Sequence, residues 1–178
     1  LEGIRLSSHG GRLLFASSCL VFGDPPTSPQ SEETSIAPIC PYGISKAAGM
    51  QICEYYREHF SVHASSAILF NHESPRRRDS FVSRKIVKAA VAIKYGLKER
   101  LVLGNLGARI DWGYAPDYVQ AMKSIVKLDK PEDFIIASGD AHTVGEFVDH
   151  VFSLLGLCAD DYVYEEASLI TREKRRND

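Results

Sequence analysis

The chain has 178 residues, 44% of them hydrophobic and 25% charged, with a formal net charge of −2. That size and balance suit a globular protein with one sizeable core, and the small net charge argues against nucleic acid or a membrane surface as partner. No apolar run is long enough to span a bilayer and no signal peptide is expected; Cys19, Cys40, Cys53 and Cys158 form no Cys-x-x-Cys pair and the six histidines no metal-ligand pattern, which points to reduced thiols, no metal and a cytoplasmic location.

In chain order, Leu1–Ser7 reads as the tail of a helix, broken by Gly10 and Gly11. Arg12–Ser17 (RLLFAS) is a short apolar run that suits a buried parallel strand, with Ser17-Ser18-Cys19 at its carboxyl end. In open parallel sheets ligands bind beyond that end, so Ser18 is either a hydrogen-bonding group for a substrate hydroxyl or a simple turn cap. Phe22–Cys40 is a long loop with prolines at 25, 26, 29 and 38, of a length that is usually functional or disordered. A helix is expected from Pro41 to about Phe60, with Ile44, Ala47, Ala48, Ile52, Tyr55 and Tyr56 on its apolar face. Val62–Asn71 reads as a second strand. The basic loop His72–Arg78 after it could grip a phosphate or be a solvated turn.

Further on, Phe81 to about Lys98 reads as an amphipathic helix, Leu101–Leu103 as a strand and Gly104–Trp112 as a loop. Ala115–Leu128 reads as a helix with Pro116-Asp117 in its first turn, and Phe134–Ala137 as a strand. Thr143 caps a helix to about Leu157, with Glu146 completing a capping box. Tyr162–Tyr164 is a further strand, and Glu173–Asp178 a charged end expected to fray. Strands alternating with helices argue for an α/β protein with a parallel sheet.

Tyr42 and Lys46 are four residues apart at the start of the 41–60 helix, which puts both on one face. A lysine ammonium beside a phenol favours the phenolate, and a phenol tuned in that way can serve as general base or acid near neutral pH. The same spacing also occurs in helices where the tyrosine is core and the lysine is solvated.

The context narrows these alternatives. FASSCLVFG, PYGISK, ILFNHESPRR and GNLGARIDWGYAPDYVQAM together resemble the GDP-mannose 4,6-dehydratase family, a branch of the extended short-chain dehydrogenase/reductases. The resemblance runs from about Leu1 to Gly156. It implies a doubly wound parallel sheet of the NAD(P)-binding Rossmann type, here partial, with a smaller C-terminal substrate domain. Residues 1–72 would be later strands of the NADP-binding domain and 73–178 mostly substrate domain with some returning strands. No Gly-x-x-Gly-x-x-Gly loop occurs in these residues, so the chain is expected to be a fragment.

The resemblance implies roles residue by residue. Tyr42 would be the catalytic base and Lys46 would tune it and hold the nicotinamide ribose. Ser18 matches the family's catalytic threonine. His72 and Arg77 match positions that contact NADP; Asn71, Lys85 and Arg109 fall at or near positions that contact the GDP-sugar. The implied reaction oxidises the hexose C4, removes water across C5 and C6, and returns the hydride to C6. A homo-oligomer is implied as well, because the family's arginine loop reaches a neighbouring subunit's cofactor. Two positions depart from the pattern. Leu20 stands where the family has the glutamate of the elimination step, and Ile110 stands where the family has the arginine before Asp-Trp-Gly, with Arg109 one residue earlier. Leu20 keeps two alternatives open: a nucleotide-sugar 4-reductase or epimerase of the same superfamily, or a catalytically silent subunit.

Overall fold

A short helix, α1 (Glu2–Leu6), precedes strand β1 (Arg12–Ala16) in the computed structural model, which describes residues 1–170. A 3-10 turn over Cys19–Val21 and the proline-bearing loop lead to α2 (Pro41–Phe60), β2 (His63–Leu69) and β3 (Asn71–Glu73). Then come α3 (Val82–Lys94), β4 (Leu101–Leu103), β5 (Arg109–Tyr114), α4 (Ala115–Lys127), β6 (Phe134–Ile136), β7 (Ala141–Thr143), α5 (Val144–Leu154) and β8 (Val163–Glu165). The charged end Glu173–Asp178 lies outside the described residues. The chain divides into two compact units, Leu1–His72 with Gly113–Gly139, and Glu73–Trp112 with the segment from Asp140 onward.

The first unit is built on a parallel sheet in the order β1-β2-β6, with Leu14 opposite Ser65 and Ile68 opposite Ile135. Strand residues alternate between faces, and both faces are covered. Phe15, Ile68 and Ile135 pack with Ala47 and Met50 of α2, while Leu14, Ala67, Leu69 and Ile136 pack with Tyr118 and Ile125 of α4. Helices on both sides of a parallel sheet make the fold doubly wound.

The face of α2 that meets the sheet is not the one expected from its larger apolar residues. Gly43, Ala47, Met50 and Cys53 are buried, while Ile44, Ala48, Ile52 and Tyr55 are exposed. The reason is close approach: small residues on the sheet side let the helix axis come down onto β1. At Gly49 an added Cβ would lie 2.2 Å from Cζ of Phe15. Gly49→Ala is therefore expected to destabilise the fold. Alanine's helix propensity favours folding by about 1 kcal/mol, but overpacking a core ring costs typically about 1–3 kcal/mol, and a 2.2 Å approach lies at the severe end. A urea midpoint at or above wild type would show that the Phe15 ring can slide away.

In the second unit β4 and β8 pair in parallel, and α3 and α5 bury Ile86, Leu101, Val148 and Phe152. The stretch 104–112, expected to be loop throughout, ends in β5, which pairs antiparallel with β7 so that Ile110 faces His142. The turn before it is made by Asn105, whose Oδ1 accepts from the Gly107 and Ala108 amides at 2.8 and 3.1 Å. The expected capping box opens α5. Thr143 Oγ1 accepts from the Glu146 amide at 3.0 Å, and Glu146 Oε2 accepts from the Thr143 amide at 2.7 Å. That second bond is the first cause that holds the Glu146 carboxyl below its ordinary value, with His142 and Arg109 adding to it. Thr143→Ala should cost about 0.5–2 kcal/mol, seen as a lower urea midpoint with faster amide exchange in the first turn of α5. Unchanged exchange there would show that the cap is not what holds that turn.

Candidate active site

The start of α2 is fixed by local chemistry. Pro41 occupies the first helical position, where its missing N–H is no loss, and the Cys40 sulfur accepts from the Gly43 amide at 3.3 Å. Tyr42 thus sits in the first turn, 53% exposed, and its hydroxyl bonds to no described residue. Lys46 follows one turn later. Its Nζ donates to the carbonyl of Ala16, the last residue of β1, at 2.8 Å. The same ammonium lies 5.5 Å from the centroid of the Tyr42 ring and 5.3 Å from that of Phe15. Lys46 is therefore a half-buried side chain, anchored so that it joins the carboxyl end of the strand to the helix.

Ser18 caps the 3-10 turn directly after β1. It is buried, and its Oγ accepts from the Leu20 amide at 3.3 Å. The turn then presses on α2, since a Cβ at Gly43 would stand 2.4 Å from the Leu20 carbonyl oxygen. Ser18 and Tyr42 share no hydrogen bond, but their elements touch at Gly43, the residue after Tyr42. Ser18, Tyr42 and Lys46 are thereby gathered at the carboxyl end of β1, where ligands bind in open parallel sheets.

Asn71 and His72 follow the carboxyl end of β2. His72 places Nδ1 2.9 Å from the Phe70 carbonyl oxygen and stacks its ring on Tyr118 with centroids 4.9 Å apart and planes inclined by 28°.

Arg77, Lys85 and Arg109 belong to the second unit. The Arg77 guanidinium lies over the Phe81 ring, 3.5 Å from its centroid, and 3.2 Å from the Glu73 carboxylate, which also accepts from Ser83 at 2.7 Å. Lys85 Nζ donates to the Val102 carbonyl at 2.8 Å. Arg109 is exposed and donates to the Ala141 carbonyl, whereas Ile110 packs against the core of the second unit. Adjacent strand residues point to opposite faces, so the one-residue offset sends the arginine away from the side that Ile110 occupies.

Sequence reasoning passed over Ala16, Phe15, Gly43 and Tyr118. A signal existed for Gly43, because a glycine inside a helical pattern marks a close approach. No local pattern announces that a lysine will bond a carbonyl thirty residues away.

Residues 1–177 match the family model described as GDP-mannose 4,6 dehydratase. The chain belongs to that family. GDP-mannose 4,6 dehydratase 2 of Arabidopsis thaliana is 49% identical over 148 residues, which cover 83% of this chain and 39% of the relative. The GDP-mannose 4,6 dehydratase of Homo sapiens is 45% identical over 141 residues, 79% of this chain and 38% of its own length. The chain thus spans about two fifths of the length of the curated relatives it matches. Among solved structures, RMD from Pseudomonas aeruginosa complexed with NADPH superposes with a TM-score of 0.79 at 21% identity, covering 94% of this chain and 64% of that one. A dTDP-glucose 4,6-dehydratase from Bacillus anthracis in complex with NAD gives 0.77 at 24% identity, covering 87% and 50%. At such identities the likeness is one of fold, and the fold is the Rossmann-type arrangement expected from the sequence.

Proposed function

We propose that this chain carries the hydride-transfer site and part of the sugar-nucleotide site of an enzyme acting on GDP-mannose in the manner of a 4,6-dehydratase, with NADP as cofactor. The observation that carries the reading is Lys46, whose ammonium is pinned to the end of β1 beneath the exposed Tyr42 and beside the turn that holds Ser18.

The residues fit the nicotinamide end of such a cofactor. Lys46 spends one ammonium proton on Ala16 and keeps two for ribose hydroxyls, and the free Tyr42 hydroxyl stands on the same helix face. The pyrophosphate-cradling glycine loop is not among the 178 residues. Lys46 and Tyr42 would hold the nicotinamide end of such a cofactor, which would supply the hydride acceptor for C4 and the donor that returns it. Tyr42 removes the C4 hydroxyl proton, and Ser18 bonds the same oxygen and orients it. Asn71 and Lys85 are assigned to the GDP-sugar, and His72 and Arg77 to the cofactor; Arg109, on the strand face opposite Ile110 and bonded to Ala141, would have to leave that carbonyl to join the sugar-nucleotide site. The setting we assign is a cytoplasmic homo-oligomer, the first part in keeping with a sequence whose four cysteines form no Cys-x-x-Cys pair. Leu20, which cannot move a proton, favours a second reading in which the same residues serve a 4-reductase or epimerase.

Arg77 gives the cofactor assignment a direct test. A guanidinium forks onto phosphate better than onto a bare ribose, and hydrogen bonds to charged groups are worth about 1.5–3 kcal/mol. Arg77→Ala should therefore weaken NADPH binding roughly ten- to hundredfold and leave NADH nearly unaffected, as read by fluorescence titration. Equal wild-type affinity for NADH and NADPH would remove this role.

A further inference from the structure

His72 is held in an unusually specific way for a half-buried side chain. A carbonyl oxygen can only accept, so the 2.9 Å contact with Phe70 requires Nδ1 to carry the proton. In a neutral ring Nε2 is then a bare acceptor, and it bonds to no described residue. The ring plane is set by Tyr118, stacked at 4.9 Å, which is itself 3% exposed. Tyr118 is fixed in turn by Gly113, where an added Cβ would stand 2.1 Å from Cε2 of the tyrosine. A rotation of the imidazole by half a turn about Cβ–Cγ would put a carbon against the Phe70 carbonyl and leave that acceptor unmet, at a cost comparable to a lost hydrogen bond.

We propose that Tyr118 is a positioning residue which, with the Phe70 carbonyl, holds His72 as its Nδ1–H tautomer, so that Nε2 meets the ligand as an acceptor for a hydroxyl or amide N–H and not as a donor to phosphate. This rests on the reading that His72 faces the cofactor or the sugar. Two ligand groups share that chemistry, the nicotinamide carboxamide and a sugar hydroxyl. Phosphate is excluded as the partner of the neutral ring because both would be acceptors.

The test is long-range proton–nitrogen NMR of the His72 ring in the protein that carries this chain, with the signal assigned through His72→Gln. Without ligand, and in the alkaline arm of a pH series where only neutral imidazole is read, the wild type should show a protonated Nδ1 and a bare Nε2. Tyr118→Phe should keep that signature, and Tyr118→Leu should shift it towards the Nε2–H form that free imidazole prefers. A wild-type Nε2–H signal overturns the proposal with no variant needed, as does a Tyr118→Leu signature identical to wild type. NADPH and GDP-mannose are then added separately. An Nε2 shift with NADPH that is absent with the acetylpyridine analogue, which lacks the amide N–H, supports the carboxamide; a shift with GDP-mannose alone supports the sugar hydroxyl. The matching ligand should bind about two- to twelvefold more weakly to His72→Leu, the effect of one hydrogen bond of roughly 0.5–1.5 kcal/mol. Protonation of Nε2 on binding, or no shift with either ligand, overturns the acceptor assignment. The ligand-free signature is read apart from any binding, so a failure of the cofactor reading and a failure of the tautomer lock are distinguishable.

Discussion

Tyr42→Phe is expected to lower the rate of C4 oxidation of GDP-mannose about 10²- to 10⁴-fold, the range typical for loss of a positioned general base, and to leave the fold intact. The substitution removes one hydroxyl from a side chain that is 53% exposed and bonded to no described residue, and surface changes of this kind usually stay within about 0.5 kcal/mol. Lys46→Ala should behave differently. It removes the bond to Ala16 that ties the helix to the strand, so loss of rate should come with loss of thermal stability. Residues that work as a unit are strongly non-additive, and the double variant should be hardly slower than Tyr42→Phe alone. Single-turnover absorbance of the reduced nicotinamide reads the rate, and a melt of each variant reads the fold. A Tyr42→Phe rate within twofold of wild type would move the base elsewhere. An additive double variant would show that the two side chains act separately.

What could be read in advance was the part fixed by local chemistry. The start of α2 at Pro41 and its end near Phe60 are of this kind, as are the Thr143–Glu146 box and the strand at Arg12. The left-handed Ser61 backbone (φ 53°) that stops the helix has no signal in the sequence. The face of α2 was not legible, because apolar residues lie on both sides and only the approach of Phe15 to Gly49 decides which side meets the sheet. Strands β5 and β7 were missed because a three-residue pairing is too short for alternation to register, and their partners are some thirty residues apart. In the candidate site, the Tyr42–Lys46 spacing was visible, but its meaning came from resemblance. The anchoring of Lys46 and the stack of His72 on Tyr118 are tertiary contacts that no sequence window contains.

Leu20 carries the second large effect. Elimination of water needs a proton taken from C5 and one delivered to the leaving hydroxyl, and the resemblance places a glutamate for this at the position of Leu20. An aliphatic side chain does neither, and acid–base help of this kind is worth about 10²–10⁴ in rate. On the proposed function, the protein that carries this chain should therefore carry out the first oxidation through Ser18, Tyr42 and Lys46 and form the 4-keto-6-deoxy sugar poorly or not at all. The structure also favours a restoring variant. Leu20 is 36% exposed, so a carboxylate there keeps water contact and escapes the penalty of a buried charge. Its amide donates to Ser18 Oγ and its carbonyl packs against Gly43, and neither contact depends on the side chain. The first turn of α2 is close by, and a helix start favours negative charge. Leu20→Glu should regain part of the missing rate, followed by mass spectrometry as the loss of one water from GDP-mannose. A wild type that already dehydrates at an ordinary enzymatic rate, roughly 1–10³ s⁻¹, would mean that another group supplies the proton transfer and that Leu20 is not the position that matters.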